Sequence, residues 1–202
     1  MARATPLLRA ILGGSFDPVH LGHLAMASHM LAKHLADRLL IVPAWRSPHK
    51  FSNSATPADR LAMARLAFEG VSGVKVDDRE ILRRRVSFTV ETLEELAAEF
   101  PGDRLRLIIG GDNLAGFSGW RDPDRILELA DIVVYPRDGV VPSSEVITRA
   151  GLDPGRVVPV TDFDQPVSST AVRAILAGGN IPVDQLPPGV AEYIATNKIY
   201  LM

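Results

Sequence analysis

The sequence predicts an α/β fold with a doubly wound, mostly parallel β-sheet and helices on both faces. Three observations favour this class: short apolar runs typical of buried strands, segments with helical spacing between them, and Gly or Pro at most of the boundaries. Alternating strands and helices are typical of a parallel sheet that is covered on both faces. We therefore expect ligands to bind beyond the carboxyl ends of the strands.

Six short runs of β-branched residues and Leu predict the strands of this sheet. They lie at residues 7–12, 39–42, 74–76, 105–109, 132–134 and 157–160. Between them, residues 90–100 carry apolar side chains at helical spacing and stop at Pro101-Gly102. A further helix is expected to begin after Thr56, because Thr56 can cap it and Asp59 can complete a capping box.

Length and composition describe an ordinary globular chain. We interpret its 202 residues as a single domain over 1–202, whose C-terminal helical part covers about 166–202. The 22 basic and 24 acidic residues give a net charge of -2, so nothing favours a nucleic acid as partner. The absence of cysteine excludes disulfides, thiolate zinc sites and cysteine catalysis. No apolar stretch approaches the roughly 20 residues of a membrane helix, and no signal-peptide pattern is present, so we expect a cytoplasmic protein.

The densest group of chemically active residues follows the first strand, where a loop opens a helix expected to reach about residue 35. It reads Gly13-Gly14-Ser15-Phe16-Asp17-Pro18-Val19-His20-Leu21-Gly22-His23. Backbone amides at a helix N-terminus are unpaired and the helix dipole is positive there, so this place suits a phosphate. His20 and His23 can point at one anion, and Gly22 lets a ligand approach the backbone. Two ordinary histidines beside a turn glycine are the structural alternative.

This loop resembles the signature of the nucleotidyltransferase superfamily, whose H-x-G-H box binds the triphosphate of ATP or CTP in a Rossmann-like fold. The longer pattern G-x-F-x-P-x-H-x-G-H is matched at Gly14, Phe16, Pro18, His20, Gly22 and His23. The resemblance implies catalytic roles for His20 and His23, and ATP contacts from Gly14, Ser15, Phe16 and Gly22. The motifs of P-loop kinases and of dinucleotide-dependent dehydrogenases are absent from the sequence.

A second hydroxyl-rich segment, Val167-Ser168-Ser169-Thr170-Ala171-Val172-Arg173, begins another predicted helix. Ser168 or Ser169 can cap this helix, and simple capping beside a surface arginine is the structural alternative. The segment resembles the second superfamily signature, I-S-S-T-x-x-R, with Val167 in place of Ile. The resemblance implies ATP contacts from Ser168, Ser169 and Thr170, and a catalytic Arg173 on the β- and γ-phosphates.

Stretches between the two signatures resemble the bacterial nicotinate mononucleotide adenylyltransferases. They are Pro48-His49-Lys50, Ser87-Phe88-Thr89, Gly110-Gly111-Asp112-Asn113-Leu114 and Trp120-Arg121, and the doubled glycine departs from the family pattern. The resemblance implies that Lys50 contacts phosphate and that Asp112 binds ribose hydroxyls. It also implies that Trp120 stacks on the pyridine ring, while the hydroxyl of Thr89 and the backbone amide of Arg121 donate to the carboxylate of nicotinate. The alternatives are a solvated loop for Lys50, helix capping for Thr89 and a core position for Trp120.

The implied activity is transfer of the adenylyl group of ATP to nicotinate mononucleotide, which gives nicotinate adenine dinucleotide and pyrophosphate in NAD biosynthesis. The substrate phosphate is itself the nucleophile, so the protein has to align phosphates and neutralise charge. Mg²⁺ is expected with ATP, and its ligands are left unassigned. Asp17 is near enough in sequence to touch water around that ion, but it can equally be a turn residue before Pro18.

Other functions remain open at this point. The same chemistry could use nicotinamide mononucleotide or phosphopantetheine as acceptor, although Thr89 and Trp120 argue against pantetheine. A different class is a nucleotide-binding module without turnover, which loss of either histidine of the box would favour. A synthetase-like fragment is disfavoured, because the chain is short and has no K-M-S-K-type loop.

Overall fold

The computed structural model describes residues 5–46, 55–137 and 139–201. Strands and helices alternate along the chain, as the sequence predicts. The strands are β1 Leu8–Gly14, β2 Arg38–Pro43, β3 Val74–Val76, β4 Arg104–Gly110, β5 Ala130–Tyr135 and β6 Val157–Pro159. All six predicted strands are confirmed, with small differences at their ends.

The strands form a sheet in the order β3-β2-β1-β4-β5-β6. β4 pairs in parallel with β1 and with β5, and β5 pairs in parallel with β6. The chain proceeds outward from β1 to β3 on one side and from β4 to β6 on the other, so the sheet is doubly wound and the predicted Rossmann-like class is confirmed. In such sheets, ligands bind beyond the carboxyl ends of the strands where the order reverses. The segments after β1 and after β4 are therefore the places where this fold favours function.

Eight α-helices lie in the described part of the chain, and several of them start at a capping residue or at a proline. They are α1 Leu21–Ala32, α2 Pro57–Phe68, α3 Arg79–Arg83, α4 Thr89–Glu99, α5 Pro123–Leu129, α6 Ser144–Arg149, α7 Ser169–Ala177 and α8 Pro188–Asn197. Thr56 caps α2 as predicted, since its Oγ1 accepts the backbone N–H of Asp59 at 3.1 Å. α1 stops short of residue 35 because His34 adopts the left-handed conformation, φ 52°, that ends helices. None of the helices in the described part of the chain has both the length and the hydropathy to cross a membrane.

The contacts of the chain divide it into two compact units. Unit 1 comprises Met1–Leu12, Leu31–Leu39 and Phe88–Asp164, and unit 2 comprises Gly13–Met30, Leu40–Ser87 and Gln165–Met202. In unit 1, α4 packs on α5, and the apolar side chains of β4 and β5 are buried. In unit 2, α2 packs on α8 and buries an apolar core that includes Met63, Phe68, Val190 and Ile194. The single domain over 1–202 stays a prediction.

Candidate active site

The two histidines of the first signature lie side by side in unit 2, at the N-terminus of α1. The centroids of the His20 and His23 rings are 3.8 Å apart, with 32° between the ring planes. The backbone N–H of His20 donates to Nδ1 of His23 at 3.2 Å. A ring nitrogen that accepts a hydrogen bond carries no proton, so Nε2 of neutral His23 is a hydrogen-bond donor. The structure thus brings the predicted imidazoles together, while their catalytic roles stay a prediction.

Gly22 makes room for the His20 ring. A Cβ atom at Gly22 would lie 2.9 Å from Nδ1 and 3.0 Å from Cε1 of His20, and 3.4 Å from the carbonyl oxygen of Val167. The shortest of these separations is well inside van der Waals contact, so any larger residue would displace the imidazole. The sequence predicts that this glycine lets a ligand approach the backbone, and the structure adds a steric reason inside the protein.

The residues before His20 form a buried loop. Phe16 is 3% exposed, and its ring centroid lies 4.9 Å from that of His23, so the buried aromatic ring packs against the His23 imidazole. Its φ of 48° is unusual for a bulky residue, and such strain persists where the surroundings enforce it. The carbonyl oxygen of Gly14 accepts the N–H of Ala44 at 2.9 Å, and Ser15 is also buried. The ATP contact implied for Phe16 stays a prediction.

Helix α7 begins directly against this loop, within the same unit. Ser169 Oγ donates to the carbonyl oxygen of Pro18 at 2.9 Å, and Arg173 Nη1 donates to the carbonyl oxygen of Asp17 at 2.6 Å. The two signatures are about 150 residues apart in sequence and are joined by these two bonds. Separate locations for the signatures would have contradicted the hypothesis of a shared triphosphate site. The two signatures instead meet in unit 2.

The hydroxyls of the second signature have different local partners. Ser168 is the N-cap of α7, because its Oγ accepts the N–H of Ala171 at 3.2 Å. Thr170 is exposed, and its Oγ1 accepts from Nη2 of Arg173 at 3.3 Å. Arg173 is therefore oriented by two oxygen atoms of the protein. Capping and ATP contact are compatible for Ser168, since a hydroxyl that accepts at its oxygen can still donate its proton.

Asp17 has a function that the sequence did not indicate. It is 4% exposed, and its Oδ1 accepts the N–H of Ala55 at 3.0 Å and the hydroxyl of Tyr200 at 2.7 Å. The carboxylate therefore joins distant parts of unit 2, which is neither of the two roles considered from the sequence. Across residues 5–46, 55–137 and 139–201, no group of three or more His, Cys, Asp or Glu side chains is arranged to hold a metal ion.

Arg60 of α2 is a buried residue that the sequence analysis did not single out. It is fully buried and donates from Nη1 to the carbonyl oxygen of Ser15 at 2.6 Å and from Nη2 to that of Trp45 at 2.8 Å. Burial lowers the pKa of Arg60, although the negative charge of Asp17 acts in the opposite direction. A signal for it exists in the sequence: Arg60 shares the buried helical face of Met63, Ala64, Ala67 and Phe68. A charged residue on an apolar face indicates a buried polar contact.

The doubled glycine at the end of β4, in unit 1, also has a steric cause. A Cβ atom at Gly110 would collide with the carboxylate of Asp112 and the side chain of Arg137. A Cβ at Gly111 would lie 2.6 Å from the carbonyl oxygen of Val140. Asp112 itself follows β4 in a short 3₁₀ turn, with a side chain 33% exposed and its Oδ1 lying 3.8 Å from Nε of Arg137. The doubled glycine therefore leaves room for Arg137 and Val140, which pack on this strand end.

The other predicted nicotinate-side residues also lie in unit 1. Thr89 is the first residue of α4, and Phe88 precedes it in the chain. The guanidinium of Arg121 lies 4.6 Å from the centroid of the Phe88 ring. Trp120 is half-buried beside Phe117, with ring centroids 5.3 Å apart, so it is not a core side chain. The structure thus brings Arg121 close to the start of α4. Lys50 lies outside the described residues, so its predicted phosphate contact stays a prediction.

Comparison with known proteins assigns the family. The cytidylyltransferase-like family model matches residues 11–175. Proteins named "Probable nicotinate-nucleotide adenylyltransferase" from Gemmatimonas aurantiaca and Pseudomonas syringae pv. tomato are each 38% identical to the chain, covering 94% of it and 90% and 92% of their own lengths.

A solved structure agrees with the fold. The nicotinic acid mononucleotide adenylyltransferase of Plasmodium falciparum, solved in complex with NaAD, matches with a TM-score of 0.78 at 16% identity, over 96% of this chain and 97% of its own. This likeness supports the doubly wound architecture described above. The family assignment rests on the extent of the family match and on the identity to the bacterial relatives. The chain belongs to the cytidylyltransferase-like family and, within it, to the nicotinate-nucleotide adenylyltransferases.

Proposed function

We propose that this protein joins the adenylyl group of ATP to nicotinate mononucleotide, giving nicotinate adenine dinucleotide and pyrophosphate in NAD biosynthesis. The observation that carries the proposal is the pair of hydrogen bonds from Ser169 and Arg173 to the loop that bears His20 and His23. These bonds support a single set of imidazole, hydroxyl and guanidinium donors for one triphosphate. The names of the bacterial relatives support the choice of acceptor.

The reaction needs no protein nucleophile. An oxygen of the 5′-phosphate of nicotinate mononucleotide attacks the α-phosphorus of ATP, and the bond from that phosphorus to the bridging oxygen of the β-phosphate breaks. Negative charge builds on the α-phosphoryl oxygens and on the departing pyrophosphate. His20 and His23 neutralise the charge on the α-phosphoryl oxygens, and Arg173 neutralises the charge on the pyrophosphate. Hydrogen-bond donors fixed in advance contribute most to such a step, since they need no reorganisation.

The acceptor's recognition is assigned to residues of unit 1. Asp112 accepts hydrogen bonds from ribose hydroxyls, for which its partly exposed carboxylate is suited. Trp120 stacks on the pyridine ring with its exposed face. Thr89 and the amide of Arg121 meet the carboxylate of nicotinate, because the N-terminus of α4 favours a negative charge. The carboxylate distinguishes nicotinate from nicotinamide, so these contacts set the preference between the two acceptors.

ATP is expected to enter as its Mg²⁺ complex. Mg²⁺ is commonly held by substrate phosphates with one or two carboxylates and water, so this ion is compatible with the described residues, which form no dedicated acidic cluster. The Asp17 carboxylate already accepts two protein hydrogen bonds, which favours its role in holding the loop. We further propose a cytoplasmic location and a single domain over residues 1–202.

The experiment is a comparison of two acceptors. Purified protein with Mg²⁺ and ATP is given nicotinate mononucleotide or nicotinamide mononucleotide, and pyrophosphate release is followed. We expect the nicotinate form to react at least about 10-fold faster, because one charged contact contributes roughly 1.5–3 kcal/mol. Equal rates would contradict the proposed preference for nicotinate mononucleotide but would still support adenylyl transfer as the reaction. Nucleotide binding without pyrophosphate release would indicate the module without turnover.

A further inference from the structure

A buried hydrogen-bond network in unit 2 ties the C-terminal end of the chain to the loop of the first signature. Tyr200 donates its hydroxyl to Oδ1 of Asp17 at 2.7 Å, and the same oxygen accepts the N–H of Ala55 at 3.0 Å. Arg60 donates to the carbonyl oxygen of Ser15 at 2.6 Å. The backbone on both sides of Phe16 is therefore anchored by groups that come from other parts of the sequence.

Burial shapes the chemistry of this network. Asp17 is 4% exposed and Arg60 is fully buried. The Asp17 carboxylate supplies a negative charge close to the Arg60 guanidinium. Burial raises the pKa of the Tyr200 hydroxyl, and the charge of Asp17 raises it further, so the hydroxyl keeps its proton and donates. Buried charges are generally weak contributors to stability, since well-packed apolar residues stabilise a core equally well. Their presence beside a signature loop points to a positional role.

The network also contacts Arg173, a residue assigned to the reaction. The carboxylate and the backbone carbonyl belong to the same residue, Asp17, and the carbonyl oxygen accepts from Nη1 of Arg173 at 2.6 Å. Orientation of the Asp17 side chain therefore constrains the oxygen atom that holds the guanidinium. Arg173 has a second contact with Thr170 Oγ1 at 3.3 Å, so loss of the first would let the guanidinium pivot.

We propose that Tyr200 is a positioning residue for adenylyl transfer, acting through Asp17 on Arg173. Its hydroxyl holds the Asp17 carboxylate, which fixes the carbonyl oxygen that aims Arg173 at the departing pyrophosphate. This inference rests on the proposed function. Charge on the pyrophosphate grows during the reaction, so a misaimed guanidinium slows the chemical step more than it weakens ATP binding.

The test compares Tyr200→Phe with Tyr193→Phe. Each variant loses one hydroxyl that donates to a carboxylate in unit 2, because Tyr193 donates to Oδ1 of Asp59 at 3.0 Å, and Asp59 belongs to α2 and not to the loop. We expect Tyr200→Phe to lower kcat by about 10-fold, with less than about 3-fold change in the KM for ATP, since small misplacement of a catalytic group costs up to about 100-fold. Tyr193→Phe should leave both constants at the wild-type values. Thermal melting checks that both variants are folded.

A double substitution tests the route through Arg173. In the Arg173→Lys background the hydrogen bond to the Asp17 carbonyl is altered already, so Tyr200→Phe should lower kcat by less than about 3-fold. An undiminished effect in that background would overturn the proposed route. Unchanged kcat in folded Tyr200→Phe, or an equal loss in Tyr193→Phe, would overturn the positioning role altogether. Wild-type protein without pyrophosphate release would instead overturn the proposed function, so the two failures are distinguishable.

Discussion

The imidazole of His20 occupies the space where a side chain of Gly22 would begin, with Nδ1 only 2.9 Å from the position of a Cβ. Gly22→Ala should therefore move the His20 ring without unfolding the protein, because a side chain can rotate where a backbone cannot. Alanine also has the higher helix propensity, by about 1 kcal/mol, which offsets part of the strain. We expect kcat/KM to fall by at least about 10-fold while the melting temperature changes little.

Gly189→Ala is the matched control for that substitution. Gly189 is the second residue of α8 as Gly22 is of α1, and a Cβ at Gly189 would meet only ordinary contacts, the nearest at 3.7 Å from Leu66. The control should keep wild-type activity and melt at the same or a slightly higher temperature. Full activity of Gly22→Ala would show that the position of the His20 ring is not needed for the reaction.

His20→Ala should abolish most of the activity with a smaller effect on folding. Removal of one charge-stabilising donor typically costs about 100- to 1,000-fold in kcat, and we expect a loss in that range. Steady-state pyrophosphate release measures it, and chemical denaturation measures stability. His29→Ala, the same substitution farther along α1, should retain activity. An active His20→Ala protein would mean that His20 does not act on the transition state.

Gly111→Ala should destabilise unit 1. A Cβ there would lie 2.6 Å from the carbonyl oxygen of Val140, and a backbone atom cannot yield without moving the segment that follows β5. Overpacking of this kind costs about 1–3 kcal/mol in the free energy of unfolding. Gly116→Ala, whose Cβ would lie 4.0 Å from the nearest atom, should change that free energy little. Urea denaturation of the two variants measures the difference, and equal stabilities would contradict the steric explanation for the doubled glycine.

Asp77 makes stability depend on pH. Burial acts to raise its pKa, but hydrogen bonds from the side chain and backbone N–H of Arg79 and the Arg79 charge outweigh it, so the pKa lies below its ordinary value of 3.8. A lowered pKa in the folded state stabilises the protein above the ordinary pKa, and that contribution is lost as pH falls through the folded value. Asp77→Asn should therefore be less stable than wild type at neutral pH. The difference in denaturation midpoint should narrow below about pH 4, and a constant difference would contradict this account.

Much of the fold could be predicted because its signals are local. The six strands follow from short apolar runs, and the Thr56 cap from four adjacent residues. Likewise, His20 and His23 could be predicted as a pair, since residues three apart at the start of a helix lie on the same side. The ring of Phe16 could not be predicted as buried, because its motif position suggests only that the residue lies in the loop.

The residues that hold the site in place are harder to find from sequence. Arg60 carries a detectable signal, a charge on the apolar face of α2, but that signal does not say which atoms it binds. Tyr200 carries none, since it lies 183 residues from the Asp17 carboxylate that it contacts. The steric need for Gly111 likewise depends on Val140, which reaches it through the packing after β5.

The sequence by itself determined the class of the fold, the positions of its strands and the two signatures that name the chemistry, since strand and helix patterns act over a few neighbouring residues. Only the tertiary structure decided that Ser169 and Arg173 meet the first signature, that Val140 packs against Gly111 and that Asp17 is held by Tyr200. Those relationships arise from the packing of segments far apart along the chain. Burial and hydrogen-bond geometry between such segments exist only once the whole core has formed.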